Sequence, residues 1–486
     1  MSEFNTDPDF PFMVPSMRCQ PLIENTTISF TNMVPPIQLF GTADDYKFGV
    51  LRINMRGEVP ISTKKQHFFF TIDCSGSMYD LCPDGKSKME QVLFTIENIL
   101  RIFATQYEAQ MSVTINAFDN RIYEKISTTI VTKDNLLELI QTLKTIYPQG
   151  LTDIEKAMKN AHDKIQQMDT TNTDITHIFL TDGDITCGDD NPDNMFIPVG
   201  CKNVFIGYGQ YHNAKVLNAL ASKYSDDEYR FIDALEKASL VYGELLHNLL
   251  FKSYKNVTLY SHDCEMYDYT HNRWTDIFYI GDLVSEQKRV IHLRTDNLND
   301  NIHIDLHGIK LHKTRQFEQL PVESEHITTA RYIPSIGSVN LNTYVFRQKS
   351  QELLYQTRNG EQSDTMKTKL QDLFDTIQKY IKDNDKSDDK LLKTICDDLF
   401  IAIQTFGTEE GYMFTLARNI SQGRQQTYTC TNIGTMDLMA DYGLSDNIDS
   451  AFTSPGIIHM MREVSQDTSI DDITTPGRID DLENVE

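Results

Sequence analysis

One stretch of the sequence decides the fold: Gln66-His67-Phe68-Phe69-Phe70-Thr71-Ile72-Asp73-Cys74-Ser75-Gly76-Ser77. Its apolar run, residues 68–72, is typical of a strand that is buried on both faces of a sheet. Three oxygen-bearing side chains, those of Asp73, Ser75 and Ser77, follow this strand directly. In an open parallel sheet, sites form in the loops beyond the carboxyl ends of the strands. The stretch therefore predicts an α/β sheet with a polar site at its edge.

The α/β pattern extends over residues 66–252. Short apolar runs alternate there with segments whose apolar residues recur at helical spacing. Strands that alternate with helices predict a mainly parallel sheet with helices on both faces. The further strands are expected at residues 111–118, 175–180, 204–208 and 229–232, and the helices at residues 89–103, 135–146, 152–168, 212–224 and 235–251.

Strand-like segments flank this unit on both sides. Residues 26–32 and 46–55 precede it, and apolar and polar residues alternate again after residue 253. The simplest interpretation is an all-β sandwich that is built from residues 26–65 together with 253–335. The α/β domain would then be inserted between the two halves of the sandwich.

The remaining segments differ from both of these regions. Residues 1–25 are rich in proline, methionine and acidic residues and are expected to be an irregular arm. Residues 340–430 are expected to form a helical domain, because their apolar residues fall on helical faces. Residues 431–486 are predicted to be an acidic, flexible tail.

The bulk composition excludes several classes of protein. A length of 486 residues favours two or three domains. A net charge of −25 disfavours binding to nucleic acid and to anionic membranes. Neither a membrane-spanning apolar run nor a secretory signal is found in the sequence. The eight cysteines are scattered and form no C-x-x-C pair, so we expect a reducing, cytoplasmic location.

Two more oxygen-bearing residues occupy positions equivalent to Asp73, Ser75 and Ser77. Thr152 lies in the loop that opens a helix, and Asp182 follows the apolar run of residues 178–180. Because such loops meet at one edge of a parallel sheet, we expect all five side chains to converge. Hydroxyls and carboxylates suit a hard cation such as Mg²⁺, which prefers octahedral oxygen ligands at about 2.1 Å. Mn²⁺ or Ca²⁺ is an alternative, whereas zinc sites favour sulfur and imidazole.

These motifs resemble those of a known family. Asp73-Cys74-Ser75-Gly76-Ser77 matches the D-x-S-x-S signature of the metal-ion-dependent adhesion site (MIDAS) in von Willebrand factor A domains. Gly150-Leu151-Thr152-Asp153 is similar to the threonine loop of the family, and Leu180-Thr181-Asp182-Gly183 to its third motif. The resemblance covers roughly residues 66–251 and implies a Rossmann-like α/β fold.

The resemblance also implies how the site works. Ser75, Ser77 and Thr152 would contact the metal directly, whereas Asp73 and Asp182 would act largely through water. An open coordination position would accept a Glu or Asp side chain from a protein partner. The order of segments also resembles multidomain intracellular von Willebrand A proteins, including plant ubiquitin ligases with a RING. This chain lacks the Cys/His spacing of a RING, so the ligase activity does not transfer. We expect a metal-dependent interaction module or scaffold that is not an enzyme.

Two other functions remain open for the same residues. Residues 182–186 fit the D-x-D-x-T motif of phosphotransferases, with Asp182 as nucleophile and Asp184 as acid/base. That hypothesis needs Lys202 and the acidic pair at residues 226–227 nearby, and the motif usually opens its domain rather than following later strands. A structural or particle component with a vestigial metal site is the other alternative, since Ser and Asp are also common turn formers.

A separate histidine pattern lies in the second β segment. His303, Asp305 and His307 alternate with apolar residues and would share the solvent face of a strand. A second metal site is one interpretation of this pattern, but an ordinary polar strand face is favoured.

Overall fold

The protein is described by a computed structural model. The described residues are 22–32, 36–39, 46–57, 65–82, 85–107, 110–209, 212–232, 238–311, 324–334, 339–358, 363–426 and 451–465. Of the predicted irregular arm, residues 1–21 lie outside them. No helix within these ranges is long and apolar enough to cross a membrane.

The strands and helices follow one another in an order that separates three regions. The strands are β1 (Ile23–Phe30), β2 (Lys47–Met55), β3 (Lys65–Asp73), β4 (Met111–Phe118), β5 (Ile122–Ile130), β6 (Thr173–Thr181), β7 (Lys202–Tyr208), β8 (Glu228–Ile232), β9 (Lys252–His262), β10 (Glu265–Asp268), β11 (Arg273–Thr275), β12 (Ile277–Val284), β13 (Lys288–Thr295), β14 (His303–Lys310) and β15 (Glu325–Arg331). The helices are α1 (Lys88–Gln106), α2 (Leu136–Leu143), α3 (Ile154–Ile165), α4 (Ala214–Ala221), α5 (Ala238–Leu250), α6 (Asn342–Arg358), α7 (Asp364–Asp383), α8 (Lys390–Gln404), α9 (Glu409–Arg424) and α10 (Pro455–Ser465).

The α/β unit contains a six-stranded sheet in the order β5-β4-β3-β6-β7-β8. All of its neighbouring strands are parallel except the β4–β5 pair. Helices α1, α2 and α5 pack on one face, and α3 and α4 pack on the other. Phe68 and Phe69 on β3 point to opposite faces and are both fully buried. The prediction of a mainly parallel sheet with helices on both faces is confirmed.

The edge strand β5 was not among the predicted elements. It runs antiparallel to β4, and its register with β4 shifts twice. Most of its residues are exposed or half-buried, because only one of its edges is paired. A strand with this irregular alternation of apolar and polar residues gives a weak periodic signal.

A β-sandwich is formed by strands from both sides of the α/β unit. One sheet has the order β1-β2-β13-β10-β11, and the other has the order β12-β9-β14-β15. Strand β2, which precedes the α/β unit, pairs with β13 along its whole length, from Lys47 opposite Thr295 to Asn54 opposite Lys288. The two sheets enclose an apolar core that includes Leu51 and Leu259. The α/β unit is thus an insertion between β2 and β9.

The helical region packs against both other regions. Helices α6, α7 and α8 share a core of their own. Val345 of α6 packs with Phe48 and Val50 on the outer face of β2. Phe414 of α9 meets Phe231 of β8 edge to face, with ring centroids 5.5 Å apart. The helices therefore join the sandwich to the α/β unit.

The acidic tail departs from its prediction in one segment. Residues 455–465 form α10, and its Met460 and Val464 belong to the core between α1 and α5. Asn98 of α1 donates a hydrogen bond from Nδ2 to the carbonyl of Val464 at 2.8 Å. The prediction of a flexible tail is wrong for these eleven residues, because their apolar face packs against α1 and α5. Residues 427–450 and 466–486 lie outside the described residues.

Candidate metal centre

Two neighbouring parallel strands bring the acidic residues of the site together. β3 ends at Asp73, and β6 ends at Thr181, directly before Asp182. Ile72 and Leu180 are partners across the two strands. The carboxyl ends of the strands therefore place the Asp73 and Asp182 side chains at one edge of the sheet. This is the arrangement expected when loops leave the same edge of a parallel sheet.

The threonine loop is held against the loop after β3 by backbone hydrogen bonds. Gln149 N–H donates to the carbonyl of Cys74 at 2.6 Å, and Gly76 N–H donates to the carbonyl of Gly150 at 3.3 Å. Gly150 has a φ of +70°, and a Cβ on it would lie 2.5 Å from an oxygen of Asp119. Only glycine fits this position, because it has no side chain and adopts positive φ at little cost. The glycine thus allows Thr152 to reach the site.

Hydroxyl groups connect the two carboxylates. Ser75 N–H donates to Asp73 Oδ1 at 2.7 Å. The Ser75 and Ser77 hydroxyl oxygens are 3.1 Å apart, and the Ser77 hydroxyl donates to Asp182 Oδ1 at 2.7 Å. Asp73, Ser75 and Asp182 are buried, whereas Ser77 is half-buried. The structure therefore joins four of the five expected residues by hydrogen bonds, with Ser77 nearest to solvent. We call these four residues, together with Thr152, the oxygen cluster.

Thr152 faces the same space as Ser77. A Cβ on Gly183 would lie 3.4 Å from the Ser77 hydroxyl oxygen and 3.7 Å from that of Thr152. Gly183 therefore leaves open a small space between the two hydroxyls, which a side chain would fill. The Thr152 backbone is fixed from the other side, because its N–H donates to Thr186 Oγ1 at 2.7 Å. Three hydroxyls and two carboxylates around one space fit a hard divalent cation.

Burial dominates the electrostatics of Asp73. Its side chain is fully buried, and burial raises the pKa of this carboxyl to about 6. The hydrogen bonds from Thr181 and Ser75 oppose that rise, and the nearby Asp182 adds to it. A charged Asp73 is therefore costly in the protein alone, and a bound cation would reduce that cost.

A lysine outside the sequence motifs contacts the site. Lys88 begins α1, and its Nζ lies 2.6 Å from Asp182 Oδ2 and 3.0 Å from Asp80 Oδ2. Burial lowers the pKa of Lys88, but its contacts with Asp182 and Asp80 outweigh this and leave the pKa above its ordinary value. Lys88 therefore supplies a fixed positive charge beside one of the two buried carboxylates.

Two further residues were not predicted from the sequence. The Thr181 hydroxyl donates to Asp73 Oδ2 at 2.6 Å and so orients that carboxylate. Asp119 follows β4 and is buried next to Gly150, where it accepts hydrogen bonds from Arg121 N–H and the Tyr123 hydroxyl. Its position after a buried strand was an available signal, whereas nothing in the sequence marked Lys88.

Cys74 lies inside the D-x-S-x-S motif but faces the core. Its side chain belongs to the apolar cluster of the α/β unit and is 1% exposed. Burial, followed by the negative charges of Asp73 and Asp119, raises the pKa of the thiol to about 12. The thiolate is the reactive form of cysteine, so this residue acts as a packing group.

The residues of the phosphotransferase hypothesis are not brought together. Asp184 is exposed, and Lys202 begins β7, where it pairs with Thr176, six residues before Asp182. The strand between them separates these positions by about 20 Å. Asp227 accepts hydrogen bonds from the backbone and side-chain nitrogens of Asn203 near the same end of β7. The arrangement that this chemistry requires is therefore contradicted.

The fold and the oxygen cluster together define a class of protein: an α/β domain with hydroxyl and carboxylate side chains gathered at one edge of its parallel sheet. The von Willebrand factor type A domain family model matches residues 68–184. The chain therefore contains a von Willebrand factor type A domain, as the motifs predicted. Domains of this family generally mediate protein–protein interaction.

One solved structure supports the fold, and two others are similar over part or most of the chain. A von Willebrand factor type A protein from Catenulispora acidiphila matches with a TM-score of 0.50 and 10% identity, over 85% of this chain and 99% of that chain. The ArnB paralog VWA2 from Sulfolobus acidocaldarius matches with a TM-score of 0.48 and 14% identity, over 83% and 98%. The structure of proximal thread matrix protein 1 from the mussel byssus, which has a zinc-occupied MIDAS motif, matches over 39% of this chain and 46% of that chain. Its TM-score is 0.31 and its identity is 17%. No curated protein sequence matches the chain.

Proposed function

We propose that the protein is a metal-dependent protein-binding module or scaffold. The observation that carries this proposal is the convergence of Asp73, Ser75, Ser77, Thr152 and Asp182 at one sheet edge. Ser75, Ser77 and Thr152 would hold Mg²⁺ directly, with the two carboxylates acting largely through water. When bound, Mg²⁺ supplies an open position for an acidic side chain of the partner.

The charge of the oxygen cluster supports a divalent cation. Asp73 and Asp182 carry two negative charges when ionised, and Lys88 offsets only part of this charge. Buried charges require a partner or a metal, because transfer out of water is costly. The donors are all oxygen atoms, which favours Mg²⁺ over metals that prefer nitrogen or sulfur. We therefore name Mg²⁺ as the physiological ion, with Mn²⁺ or Ca²⁺ as substitutes.

The surface around the oxygen cluster supports a protein as the partner. Four large apolar or aromatic side chains are exposed on its loops, namely Tyr79 (63%), Leu81 (73%), Tyr147 (57%) and Leu151 (50%). Tyr79 and Leu81 follow Ser77 closely, and Leu151 is adjacent to Thr152. Exposed apolar groups that surround a polar centre are typical of protein interfaces. The net charge of −25 also disfavours nucleic acid as the ligand.

A binding role accounts for these residues better than catalysis does. The acid/base candidate Asp184 is exposed, and Lys202 lies at the far edge of the sheet. The thiol of Cys74 faces the core and has a raised pKa. We therefore infer that the oxygen cluster holds a partner and does not turn over a substrate.

The test is a pull-down with the full chain, performed in Mg²⁺ and in EDTA. We expect partner capture in Mg²⁺ only, and loss of capture with Asp73→Ala and with Thr152→Ala. Asp184→Asn is the matched control, because it removes an exposed acidic residue two positions after Asp182 and should capture the same partner. Replacing the acidic residue of the captured partner by its amide should abolish binding as EDTA does.

Three results would contradict the proposal. Retention of every partner by Asp73→Ala would show that the cluster does not hold them. Entry of both variants into an assembly of normal composition would favour the structural alternative with a vestigial site. Hydrolysis of a generic phosphoester that is lost in Asp182→Asn would favour a phosphotransferase.

A further inference from the structure

A second group of metal-ligating side chains lies on the solvent face of the sandwich sheet β12-β9-β14-β15. His303 on β14 is directly opposite His262 on β9. Asp305 follows two residues later on β14, and therefore lies on the same face as His303. The apolar residues that alternate with them, Ile302, Ile304 and Leu306, are fully buried on the other face. Strand register thus collects two imidazoles and one carboxylate, which we call the histidine cluster.

The ligand atoms of the histidine cluster are close to one another. His262 Nε2 lies 3.3 Å from Asp305 Oδ2, and His303 Nε2 lies 4.0 Å from the same oxygen. One ligand atom from each residue falls within 4.8 Å of the other two. The imidazole rings of His262 and His303 are stacked, with centroids 4.2 Å apart and an angle of 13° between their planes. Small side-chain rotations would bring all three atoms to the separation found around one metal ion.

Neighbouring groups orient the histidine cluster toward a cation. His303 Nδ1 lies 2.6 Å from the carbonyl oxygen of Asn301, which can only accept, so Nδ1 is the donor. With Nδ1 as the donor, Nε2 is the ring nitrogen that faces the Asp305 carboxylate, and in the neutral form of the ring its lone pair points there. Two acceptors that face each other repel unless a cation or a proton lies between them. Metal-ligating histidines commonly donate their other nitrogen to a carbonyl in this way.

The carboxylate is also positioned by a neighbouring strand. The Thr329 hydroxyl on β15 donates to Asp305 Oδ1 at 2.5 Å. This hydrogen bond leaves Oδ2, the oxygen nearest to both imidazoles, as the ligand atom. His326 Nε2 lies 3.6 Å from Asp305 Oδ1 and 2.9 Å from the Thr329 hydroxyl. The histidine cluster therefore has an ordered second layer of contacts, which restricts the rotamer of its acid.

We propose that His262, His303 and Asp305 form a binding site for a zinc-type divalent cation, separate from the oxygen cluster. Two imidazole nitrogens and one carboxylate oxygen are the donors that Zn²⁺ accepts in three-ligand sites. The side chains of His262 and Asp305 are 50% and 24% exposed, so a fourth position is open to water or to a ligand atom from outside. Mg²⁺ binds imidazole poorly, which separates the two sites by chemistry.

Co²⁺ is the probe for this site, because its visible absorption reports tetrahedral nitrogen and oxygen coordination. The chain must carry no histidine tag, and millimolar Mg²⁺ is present to fill the oxygen cluster. We expect one equivalent of Co²⁺ to give visible bands that Zn²⁺ abolishes by competition. His262→Gln and His303→Gln should each weaken Co²⁺ binding about 100-fold. Asp305→Asn should weaken it to the same extent, although the asparagine side chain has nearly the same shape as aspartate.

His271→Gln is the matched control. His271 is also an exposed histidine next to a carboxylate, 2.7 Å from Asp268, but no second imidazole completes its set in the described part of the chain. It should leave the Co²⁺ spectrum and affinity unchanged. Equal unfolding temperatures of the metal-free proteins would show that the variants are folded.

The proposal is overturned by any of three results. The first is the absence of Co²⁺ bands from the unmodified chain. The second is a spectrum that persists in His303→Gln. The third is a spectrum that disappears in Thr152→Val, since the ion would then lie in the oxygen cluster.

Discussion

The α/β unit and the β-sandwich place their polar groups in different ways. Helices cover both faces of the α/β sheet, so polar side chains lie either beyond the strand ends, as in the oxygen cluster, or inside the core, as His177 does. The sandwich sheet β12-β9-β14-β15 has one face toward solvent, and its histidines line that face. The covering of the sheet therefore determines where a metal site can form.

This difference extends to the charge of each site. The oxygen cluster holds two buried carboxylates, Asp73 and Asp182, with one lysine beside them. The histidine cluster holds one carboxylate that is reached by water, and hydrogen bonding from Thr329, followed by the nearby histidines, lowers the pKa of Asp305. A buried pair of acids needs a cation to stabilise it, whereas the exposed cluster is stable without one. Metal removal should thus affect the α/β unit more than the sandwich.

The largest expected effect concerns the histidine inside the α/β sheet. His177 Nδ1 donates to Asn203 Oδ1 at 3.0 Å, and its Nε2 lies 3.0 Å from the Thr71 hydroxyl. Burial lowers the pKa of His177 to about 4, against 6.5 ordinarily. The folded state therefore binds fewer protons than the unfolded state between these values. The contribution of His177 to the free energy of unfolding is fully present above pH 6.5. It decreases by about 3 kcal/mol as the pH falls toward 4.

Urea unfolding of the unmodified chain and of His177→Gln from pH 7.5 to pH 4 measures this effect. The variant should be less stable at pH 7.5, and the difference should shrink by about 3 kcal/mol as the pH falls. A difference that stays constant over the whole range would show that the buried histidine is not held neutral. The contrast drawn between the buried His177 and the exposed histidines of the sandwich would then be wrong.

The second prediction isolates one hydroxyl of the oxygen cluster. Thr152→Val keeps the shape of the side chain but removes the oxygen that faces the space beside Gly183. We expect Mg²⁺ affinity, measured by calorimetry, to fall about 10- to 100-fold. Thr152→Ser restores the hydroxyl and should bind Mg²⁺ as the unmodified chain does. Equal affinities for all three proteins would remove Thr152 from the site.

The oxygen cluster was accessible from the sequence because its signals are local. An apolar run followed by Asp73, Ser75 and Ser77 marks a strand end, and parallel strands bring such ends to one edge. Asp182 was found by the same rule, and Thr152 was found from its place in the loop that opens a helix. Lys88 was not found, because its contact with Asp182 depends on the angle at which α1 leaves the loop. No pattern of residues along the chain records that angle.

The histidine cluster shows where a sequence pattern stops being informative. The alternation of His303, Asp305 and His307 predicted one strand face, and that face is present. The third member of the cluster is His262 instead of His307, since β9 places it opposite His303. Register between distant strands is set by packing and bulges, one of which follows His307. The residues that a strand face contributes can be predicted, but their partners across the sheet cannot.

The third prediction tests the role of the lysine in the oxygen cluster. Lys88→Met keeps most of the aliphatic side chain and removes the charge 2.6 Å from Asp182. The lysine ammonium no longer competes with Mg²⁺ for the Asp182 carboxylate. The affinity for Mg²⁺ should therefore rise about tenfold, or about 1.4 kcal/mol. Lys86→Met is the matched control, because its ammonium lies over the Phe94 ring. An unchanged or lower affinity in Lys88→Met would show that Lys88 orients Asp182 instead of competing for it.

The smallest expected effect concerns the helix start that presents Lys88. A positive charge in the first turn of a helix is unfavourable, because the helix dipole is positive there. Ser87 and Glu90 offset this cost with a capping box, in which Ser87 Oγ accepts from Glu90 N–H at 3.2 Å and Ser87 N–H donates to Glu90 at 2.7 Å. Ser87→Ala should lower the free energy of unfolding by about 1 kcal/mol. Glu90→Gln preserves the motif and should lower the free energy of unfolding by less.

The Ser87→Ala variant also tests how Lys88 is positioned. Because Ser87→Ala loosens the turn that holds Lys88 against Asp182, it should also raise the affinity for Mg²⁺, but less than Lys88→Met does. A loss of stability with no change in Mg²⁺ affinity would show that the salt bridge with Asp182, and not the cap, fixes the position of Lys88.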